Sequence, residues 1–183
     1  MIHDATNPLA IQSQEWLTRA LISLLESKEY NNVTITEIAA KADLSRRTFY
    51  RAFDSKEDIL VYYCNKLFKE FLGLLQQETE HSYTSVIYLY FQFWHNHKHF
   101  LQILQKNNLL TFLIAQYSVL FPKVFQLIKG NHSLSGNAEA FSYAMAYSAG
   151  GLLHMLLKWA EDGMVKTPAE IMGIIETIFP MGW

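Results

Sequence analysis

The sequence predicts an all-α fold with two parts, a three-helix helix-turn-helix unit at the N-terminal end and a C-terminal helical bundle. Three observations support this prediction. Apolar residues recur at helical spacing, helix-capping motifs mark several helix starts, and half of the 183 residues are hydrophobic, which is enough for a substantial core. We expect the helix-turn-helix domain to cover residues 1–55 and the second domain to cover residues 56–183.

The first two helices follow from leucine spacing and from a capping box. A first helix is predicted from about Ala10 to Tyr30. Its apolar face is formed by Leu17, Leu21, Leu24 and Leu25. The next helix opens at Thr34, because Thr34 and Glu37 have the T-x-x-E spacing in which each side chain bonds the other's backbone N–H. The turn after it contains Asp43, a residue type that tolerates left-handed backbone.

The following helix is predicted from about Arg46 to Phe53, with Ser45 as its N-cap. At 100° per residue, Phe49 and Phe53 share the side that faces the core. The first turn, the flanks and the outer side carry Arg46, Arg47, Thr48, Tyr50 and Arg51. Guanidinium and hydroxyl groups can bond phosphates and base edges, so the pattern indicates a helix that enters a DNA groove. The alternative is the solvated charged face of a small helical hairpin.

A long fourth helix is predicted from about Lys56 to Glu80, and it should connect the two domains. Ser55 is its N-cap, with Asp58 at the capping-box position. Lys56 lies in its first turn, where an ammonium group is placed for a phosphate beside the groove. Between Lys41 and Lys56 there are five basic and two acidic residues, so a local cationic patch exists although the net charge is −2.

The segment from Thr34 to Glu57 resembles the DNA-binding domain of the TetR family of transcriptional regulators. The family pattern is matched at Thr34, Ile35, Ile38, Ala39, Ala42, Leu44, Ser45, Thr48, Phe49, Tyr50, Phe53, Ser55, Lys56 and Glu57. Two positions depart from it. Asp43 replaces the usual turn glycine, and Ala52 replaces a histidine or aromatic residue that could contact phosphate. The resemblance is clear over about residues 10–75.

The resemblance implies that the helix from Arg46 is a recognition helix whose Arg46, Arg47, Thr48 and Tyr50 occupy base- and phosphate-contacting positions. It also implies a phosphate contact by Lys56 and places Thr34 and Thr36 near the DNA backbone. The expected function is sequence-specific DNA binding, as a repressor released from a palindromic operator by a small apolar effector. An activator or partner-controlled regulator is the alternative, and a helical enzyme or carrier for an apolar molecule is a remote one.

In the C-terminal half, helices are expected at about residues 83–96, 98–105, 107–128, 137–161 and 168–179. Pro122 should kink or divide the third of these, and residues 130–137 form the clearest loop. Another break is expected at Asp162-Gly163. A helix then restarts with Thr167 as N-cap, Pro168 at the first position and Glu170 completing a capping box.

The family resemblance suggests that the last two helices form a homodimer, which would bind double-stranded DNA at two half-sites. The expected interface residues are Ala144, Gly151, Trp159, Ile171, Ile175 and Ile178. Ordinary packing within the chain is the alternative. An effector pocket is expected among the aromatic residues of this half. Its predicted lining residues are Phe91, Trp94, Phe112, Tyr117, Tyr147, His154 and Met155, although each could simply be core.

Several other functions are not favoured. The chain has no glycine-rich phosphate loop or nucleophile motif, so no enzyme activity or cofactor is expected. His95, His97 and His99 lack nearby acidic or thiol ligands, so no metal site is expected. Cys64 is the single cysteine, which suits a reducing cytoplasm. Neither a signal peptide nor an apolar stretch of about 18 residues is present, so we expect no membrane partner.

Overall fold

The structure is a computed structural model that describes residues 7–78, 82–114, 124 and 138–178. Within these residues every regular element is a helix, so the predicted all-α class is confirmed. The longer helices are α1 (Pro8–Leu25), α2 (Ile35–Lys41), α3 (Arg46–Ala52), α4 (Lys56–Gln77), α5 (Tyr83–Asn96), α6 (Lys98–Lys106), α7 (Ala138–Glu161) and α8 (Pro168–Ile178). A 3-10 turn, Tyr30–Asn32, lies between α1 and α2.

The predicted starts of α2, α3 and α4 are confirmed because their caps form. The Thr34 hydroxyl accepts the Glu37 N–H at 3.2 Å, and the Thr34 N–H donates to the Glu37 carboxylate at 2.9 Å. Ser45 accepts the backbone N–H of Thr48 at 3.0 Å. The same reciprocal capping joins Ser55 to Asp58. Each cap satisfies backbone donors that the first helical turn leaves free.

The predicted end of the first helix is wrong. α1 stops at Leu25, and Tyr30 belongs to the separate 3-10 turn. The backbone N–H groups of Ser27 and Lys28 both donate to the Leu24 carbonyl, so the chain leaves the helix in a tight turn. Polar residues follow Leu25, so no further apolar side chain favours another turn against the core.

The N-terminal helices enclose one core that fixes the orientation of α3. Side chains at 0% exposure come from α1, α2, the α3 segment and α4: Leu17, Leu21, Leu25, Ile38, Phe49, Phe53, Ile59 and Leu60. The rings of Phe49 and Phe53 lie 6.3 Å apart, and that of Tyr62 in α4 meets Phe53 edge-on at 5.5 Å. The two phenylalanines therefore anchor α3 from one side, as the helical spacing predicted.

The C-terminal helices pack around the aromatic helix α5, which contacts α4, α6, α7 and α8. Phe71 of α4 lies against Tyr90 and Phe93, with ring centroids 6.2 Å and 5.4 Å away. Phe91 points in the other direction and meets Trp159 of α7 edge-on at 5.7 Å. α4 therefore shares its buried face with both domains, since Ile59 and Leu60 belong to the N-terminal core.

The break before α8 is confirmed. Gly163 and Met164 both adopt left-handed backbone, with φ of 74° and 53°. α8 then begins at Pro168, with the Thr167 N–H donating to the Glu170 carboxylate at 2.7 Å and the Thr167 hydroxyl accepting the Glu170 N–H at 3.3 Å. Most of the helix expected at residues 107–128, with Pro122 and Tyr117, and the loop at 130–137 lie outside the described residues.

Candidate DNA-binding site

The outer side of α3 is cationic and accessible. Phe49 is fully buried, whereas Arg46, Arg47 and Arg51 are exposed and Tyr50 keeps 46% of its surface. The Tyr50 ring rests edge-on against Phe49 at 5.5 Å, so its position is held while its hydroxyl end faces outward. The sequence prediction of an inward phenylalanine side and an outward basic side therefore agrees with the placement of these residues.

The three arginines of α3 have no polar partner in the described part of the chain. No hydrogen bond or ion pair joins the guanidinium of Arg46, Arg47 or Arg51 to another described residue. Their donors are thus available, and a guanidinium can bond a phosphate or two acceptors of a guanine edge. The arrangement suits a negatively charged partner that accepts hydrogen bonds.

Two of the predicted threonines have hydroxyl partners at helix starts, and Thr34 is itself the N-cap of α2. The Thr48 hydroxyl lies 2.9 Å from the Ser45 hydroxyl, and the Thr34 hydroxyl donates to Glu37 at 2.8 Å. Thr36 is exposed on the first turn of α2. A hydroxyl oxygen that donates internally can still accept a bond but has no proton left for a phosphate. Any phosphate contact at Thr34 in this arrangement would therefore have to use another donor.

Lys56 has a structural role that the sequence did not reveal. Its ammonium donates to the carbonyls of Tyr30 at 2.7 Å and Val33 at 3.0 Å, and it lies 4.2 Å above the Tyr30 ring. Two of its three protons are therefore used within the chain. The partners lie more than 20 residues earlier, so local motif analysis could not find them. A direct phosphate contact by Lys56 stays a prediction that relies on the third proton.

The two departures from the family pattern have clear structural consequences. Asp43 takes the left-handed conformation with φ of 54°, which is the conformation that the missing glycine would adopt readily. Ala52 is buried at the end of α3. It contributes to the core and places no side chain at the surface, so this end of α3 relies on Arg51 for polar contact.

The capping carboxylate of α2 gives a testable pH dependence. Hydrogen bonds from Lys28, at 2.5 Å, and from the N–H and hydroxyl of Thr34 lower the pKa of Glu37 to about 2. A lowered pKa stabilises the fold above the unfolded-state value of about 4.5, and this contribution is lost as the pH falls toward 2.

We expect Glu37→Gln to lower the urea midpoint at pH 7, with a difference from the native chain that shrinks as the pH falls from about 4.5 to 2. Circular dichroism during urea titration measures both midpoints. Glu176→Gln, at an exposed site on α8, is the control and should show little difference at any pH. A Glu37→Gln difference that stays constant over this pH range would contradict the assignment.

The predicted dimer residues fall into two groups. Ala144, Gly151 and Ile178 are exposed. Trp159, Ile171 and Ile175 are instead buried within the chain, so their prediction as interface residues is revised. The reason is clearest for Trp159, whose ring stacks on His95 at 5.7 Å and whose indole N–H donates to the Lys166 carbonyl at 3.1 Å.

The exposed side of α7 is continuous. Its side chains recur at spacings of three and four and define a line that we call the α7 stripe: Tyr143, Tyr147, Gly151, His154 and Lys158. Tyr143 is 72% and Tyr147 62% exposed, which is unusual for large aromatic residues. On the neighbouring helix α8, Ile174 and Ile178 are also exposed and lie one turn apart.

Four of the residues predicted for an effector pocket belong to or pack against one core, and two others lie on the surface. Phe91 and Trp94 are buried in the aromatic core. Phe112 and Met155 pack against that core while partly buried. Tyr147 and His154 belong to the α7 stripe, and the His154 ring nitrogen Nδ1 lies 2.7 Å from the Gly150 carbonyl. Tyr117 lies outside the described residues. Sequence composition could not separate core aromatics from surface ones in this half.

A surface depression of about 420 Å³ lies elsewhere, in the N-terminal domain. It is lined by Trp16, Arg19, Ala20, Ser23, Lys41, Ala42 and Asp43. These residues come from α1, from the end of α2 and from the turn that follows it. No sequence motif connects these segments, so the depression was not predicted.

The three neighbouring histidines have separate partners. α5 ends at Asn96 and α6 begins at Lys98, so His95 and His99 do not share one continuous helix. His97 bonds Glu70 at 3.2 Å, and His99 bonds Glu26 at 3.0 Å. In the described ranges no three His, Cys, Asp or Glu side chains are grouped as metal ligands. No helix among the same residues has the length and apolar character needed to cross a membrane.

Comparison with known proteins identifies similar sequences and folds. The family profile described as "Bacterial regulatory proteins, tetR family" matches residues 17–63, and the one described as "Transcriptional regulator C-terminal region" matches residues 81–180. A search of curated proteins returns no match.

Solved structures with a similar fold cover nearly the whole chain. A Listeria innocua protein has a TM-score of 0.76 at 14% identity, over 98% of this chain and 96% of its own. A TetR transcriptional regulator from Streptococcus agalactiae has a TM-score of 0.66 at 18% identity, over 93% and 94%. The dihydroxyacetone kinase operon activator DhaS has a TM-score of 0.66 at 18% identity, over 92% and 94%. At these identities the likeness establishes the fold.

Proposed function

The chain belongs to the TetR family of bacterial transcriptional regulators, and we propose that it is a repressor released from a palindromic operator by a small apolar effector. As a family member it is a DNA-binding regulator and not an enzyme. The observation that carries the DNA-binding part is the row of exposed arginines on α3, which have no partner among the described residues. We place the protein in the bacterial cytoplasm, where its DNA target lies.

We propose that residues 1–55 bind DNA and that residues 56–183 bind the effector and form the dimer. Within the first part, base edges or phosphates are contacted by the side chains of Arg46, Arg47, Thr48, Tyr50 and Arg51. Thr34 and Thr36 lie at a helix end near the DNA backbone. Lys56 donates a hydrogen bond to a phosphate with its third N–H, while the other two bond the carbonyls of Tyr30 and Val33.

We propose a homodimer through the α7 stripe and the exposed side of α8. Tyr143 and Tyr147 supply apolar ring surface, and Ala144 and Gly151 let a second copy of α7 approach closely. Ile178, 57% exposed, extends the apolar surface on α8. A twofold axis through this surface presents two α3 helices to one side, so the operator is a palindrome with half-sites about one helical turn apart or wider.

The chemistry of the core around α5 supports an apolar effector. The buried side chains of Phe91, Trp94 and Trp159 carry few polar groups, so a ligand that enters among them must also be apolar. Such an effector shifts the protein between two states only through its different affinities for them. The state that it favours moves α4, which packs against the cores of both domains, and changes the distance between the two α3 helices.

An effector of this kind should stabilise the fold measurably. We expect an apolar ligand at about 100 times its Kd to stabilise the protein by about 2.7 kcal/mol and to raise the Tm by about 5–10 °C. Differential scanning fluorimetry with a library of apolar and aromatic compounds measures this. The same compound should release the protein from its operator. A library that yields neither a stabilising nor a releasing compound would contradict the effector.

A second candidate is an activator or a regulator controlled by a protein partner. The close packing of Phe91 with Trp159 favours it, since rings in contact leave no room for a ligand without a rearrangement. DhaS, which shares the fold, is described as an activator. A reporter gene behind the selected operator separates the two: deletion of the regulator raises expression under a repressor and lowers it under an activator.

A further inference from the structure

The side chain of Asn107, at the C-terminal end of α6, makes hydrogen bonds to the DNA-binding domain. The Asn107 carboxamide oxygen accepts the backbone N–H of Tyr30 at 2.8 Å. Its NH₂ group donates to the Ile103 carbonyl at 2.9 Å and to the Leu25 carbonyl at 3.4 Å. Asn107 therefore bonds its own helix, the last residue of α1 and the first residue of the 3-10 turn.

The chemistry of this junction requires an amide. One partner is a donor and two are carbonyl acceptors, so the side chain must accept on one side and donate on the other. This network also fixes which end of the amide is oxygen. An aspartate of the same shape could accept from Tyr30 but would direct its second oxygen at the Leu25 and Ile103 carbonyls. An alanine would leave the partly buried Tyr30 N–H without a partner.

Tyr30 also contacts the first residue of α4, and it therefore connects Asn107 to the start of that helix. Its backbone carbonyl and its ring both hold the Lys56 ammonium, which also bonds the Val33 carbonyl. Val33 directly precedes Thr34, the N-cap of α2. Lys56 is the first residue of α4 and follows shortly after the end of α3 at Ala52. A continuous set of polar contacts therefore runs from the end of α6 to the first residue of α4 and to the residue before the N-cap of α2.

Neighbouring contacts show that α6 docks here as a unit. Lys106 donates to the Glu26 carbonyl at 2.6 Å, and His99 bonds the Glu26 carboxylate at 3.0 Å. The Phe100 ring meets Tyr63 of α4 edge-on at 4.7 Å. The end of α1 and one side of α4 thus form the surface against which α6 packs. Asn107, at the end of α6, is the residue that contacts the turn at Tyr30.

We propose that Asn107 is a positioning residue for DNA binding: it fixes α6 to the turn that holds Lys56 and thereby sets the orientation of the DNA-binding domain. This inference rests on the proposed function, since it requires a dimer whose two α3 helices must match the operator. A movement of α6 that withdraws Asn107 frees the turn and lowers operator affinity.

The test is a double-mutant cycle on operator affinity with the full-length chain. We expect Asn107→Ala to weaken binding about tenfold, within the roughly 2- to 30-fold range that residues linking two sites contribute. In a Lys56→Met background the same change should cost less than about twofold, because the two residues act through one connection. Fluorescence anisotropy with an operator selected by the native protein measures all four Kd values.

Gln102→Ala is the matched control, because Gln102 is an exposed amide on the same helix. It should leave the affinity unchanged in both backgrounds. Asn107→Asp is a second variant of native shape, and it should weaken binding as Asn107→Ala does. Thermal unfolding gives the Tm of every variant. The binding assays are made below the lowest of these Tm values, so that every variant is folded.

The outcomes are separable. A lower Tm with an unchanged operator Kd for both Asn107 variants would assign the residue a purely structural role and overturn the inference alone. Additive effects of Asn107→Ala and Lys56→Met would overturn the route through Tyr30. A native protein that selects no DNA would overturn the proposed function together with the inference, and that failure appears before any variant is made.

Discussion

Replacement of Arg47 by alanine is expected to weaken specific operator binding by about 1–3 kcal/mol. This corresponds to an increase in Kd of about 5- to 150-fold. Arg47 is exposed on α3, opposite the buried Phe49, and no described residue holds its guanidinium. A side chain so placed can form two parallel bonds with a guanine edge, and alanine forms neither of them.

Whether Arg47 contacts a base or a phosphate can be determined by measuring how Arg47→Ala changes binding to different DNA sequences. If Arg47 bonds a base, the variant binds the operator more weakly and tolerates changes at one position of each half-site. If it bonds a phosphate, affinity falls on all sequences, and the slope of log K against log salt becomes shallower by about 0.9 for each phosphate that the protein no longer neutralises. Lys69→Ala, an exposed cation on α4, controls for the removal of charge. An unchanged operator affinity for Arg47→Ala would remove Arg47 from the interface.

Gly151→Arg is expected to convert the protein to a monomer and to lower operator affinity by about 10²- to 10⁴-fold. Gly151 lies in the middle of the α7 stripe, where an added Cβ has nothing within 4 Å. The isolated chain therefore accommodates arginine, and replacement of a helical glycine favours the fold by up to about 1 kcal/mol. Two such side chains on facing helices would hold the copies apart, and operator binding would no longer gain from two linked half-sites.

Gly73→Arg is the matched control for this variant. Gly73 is also inside a helix, α4, and its added Cβ likewise has nothing within 4 Å, but it lies outside the proposed dimer surface. Analytical ultracentrifugation should give a monomer for Gly151→Arg and a dimer for Gly73→Arg. A dimer for both variants would contradict the placement of the interface on α7.

Sequence reasoning succeeded where structure depends on neighbouring residues. The starts of α2, α4 and α8 follow from capping pairs three residues apart, and the side of α3 that faces the core follows from the spacing of Phe49 and Phe53. The left-handed conformation of Asp43 at the turn follows from the backbone preference of aspartate alone. Each of these features is decided within one or two helical turns.

Sequence reasoning failed where a residue's role depends on contacts with residues far away in the chain. The role of Lys56 depends on Tyr30, and that of Asn107 on Tyr30 and Leu25, more than 20 residues away in each case. Trp159 was predicted at the dimer surface because the family resemblance assigns the last two helices to the dimer, yet α5 covers it through His95 and Phe91. Helical periodicity identifies an apolar side, but it does not say whether the same chain or a second copy covers it.

Selection of DNA from random-sequence duplexes with purified protein tests the central claim most directly, which is that α3 presents its arginines to a duplex groove. We predict strong enrichment of a palindromic motif with two half-sites about one helical turn apart or wider. The enrichment should disappear when Arg46 and Arg47 are both alanine. Bound DNA that shows no enrichment over the starting pool, or the same motif selected by the double variant, would contradict the account.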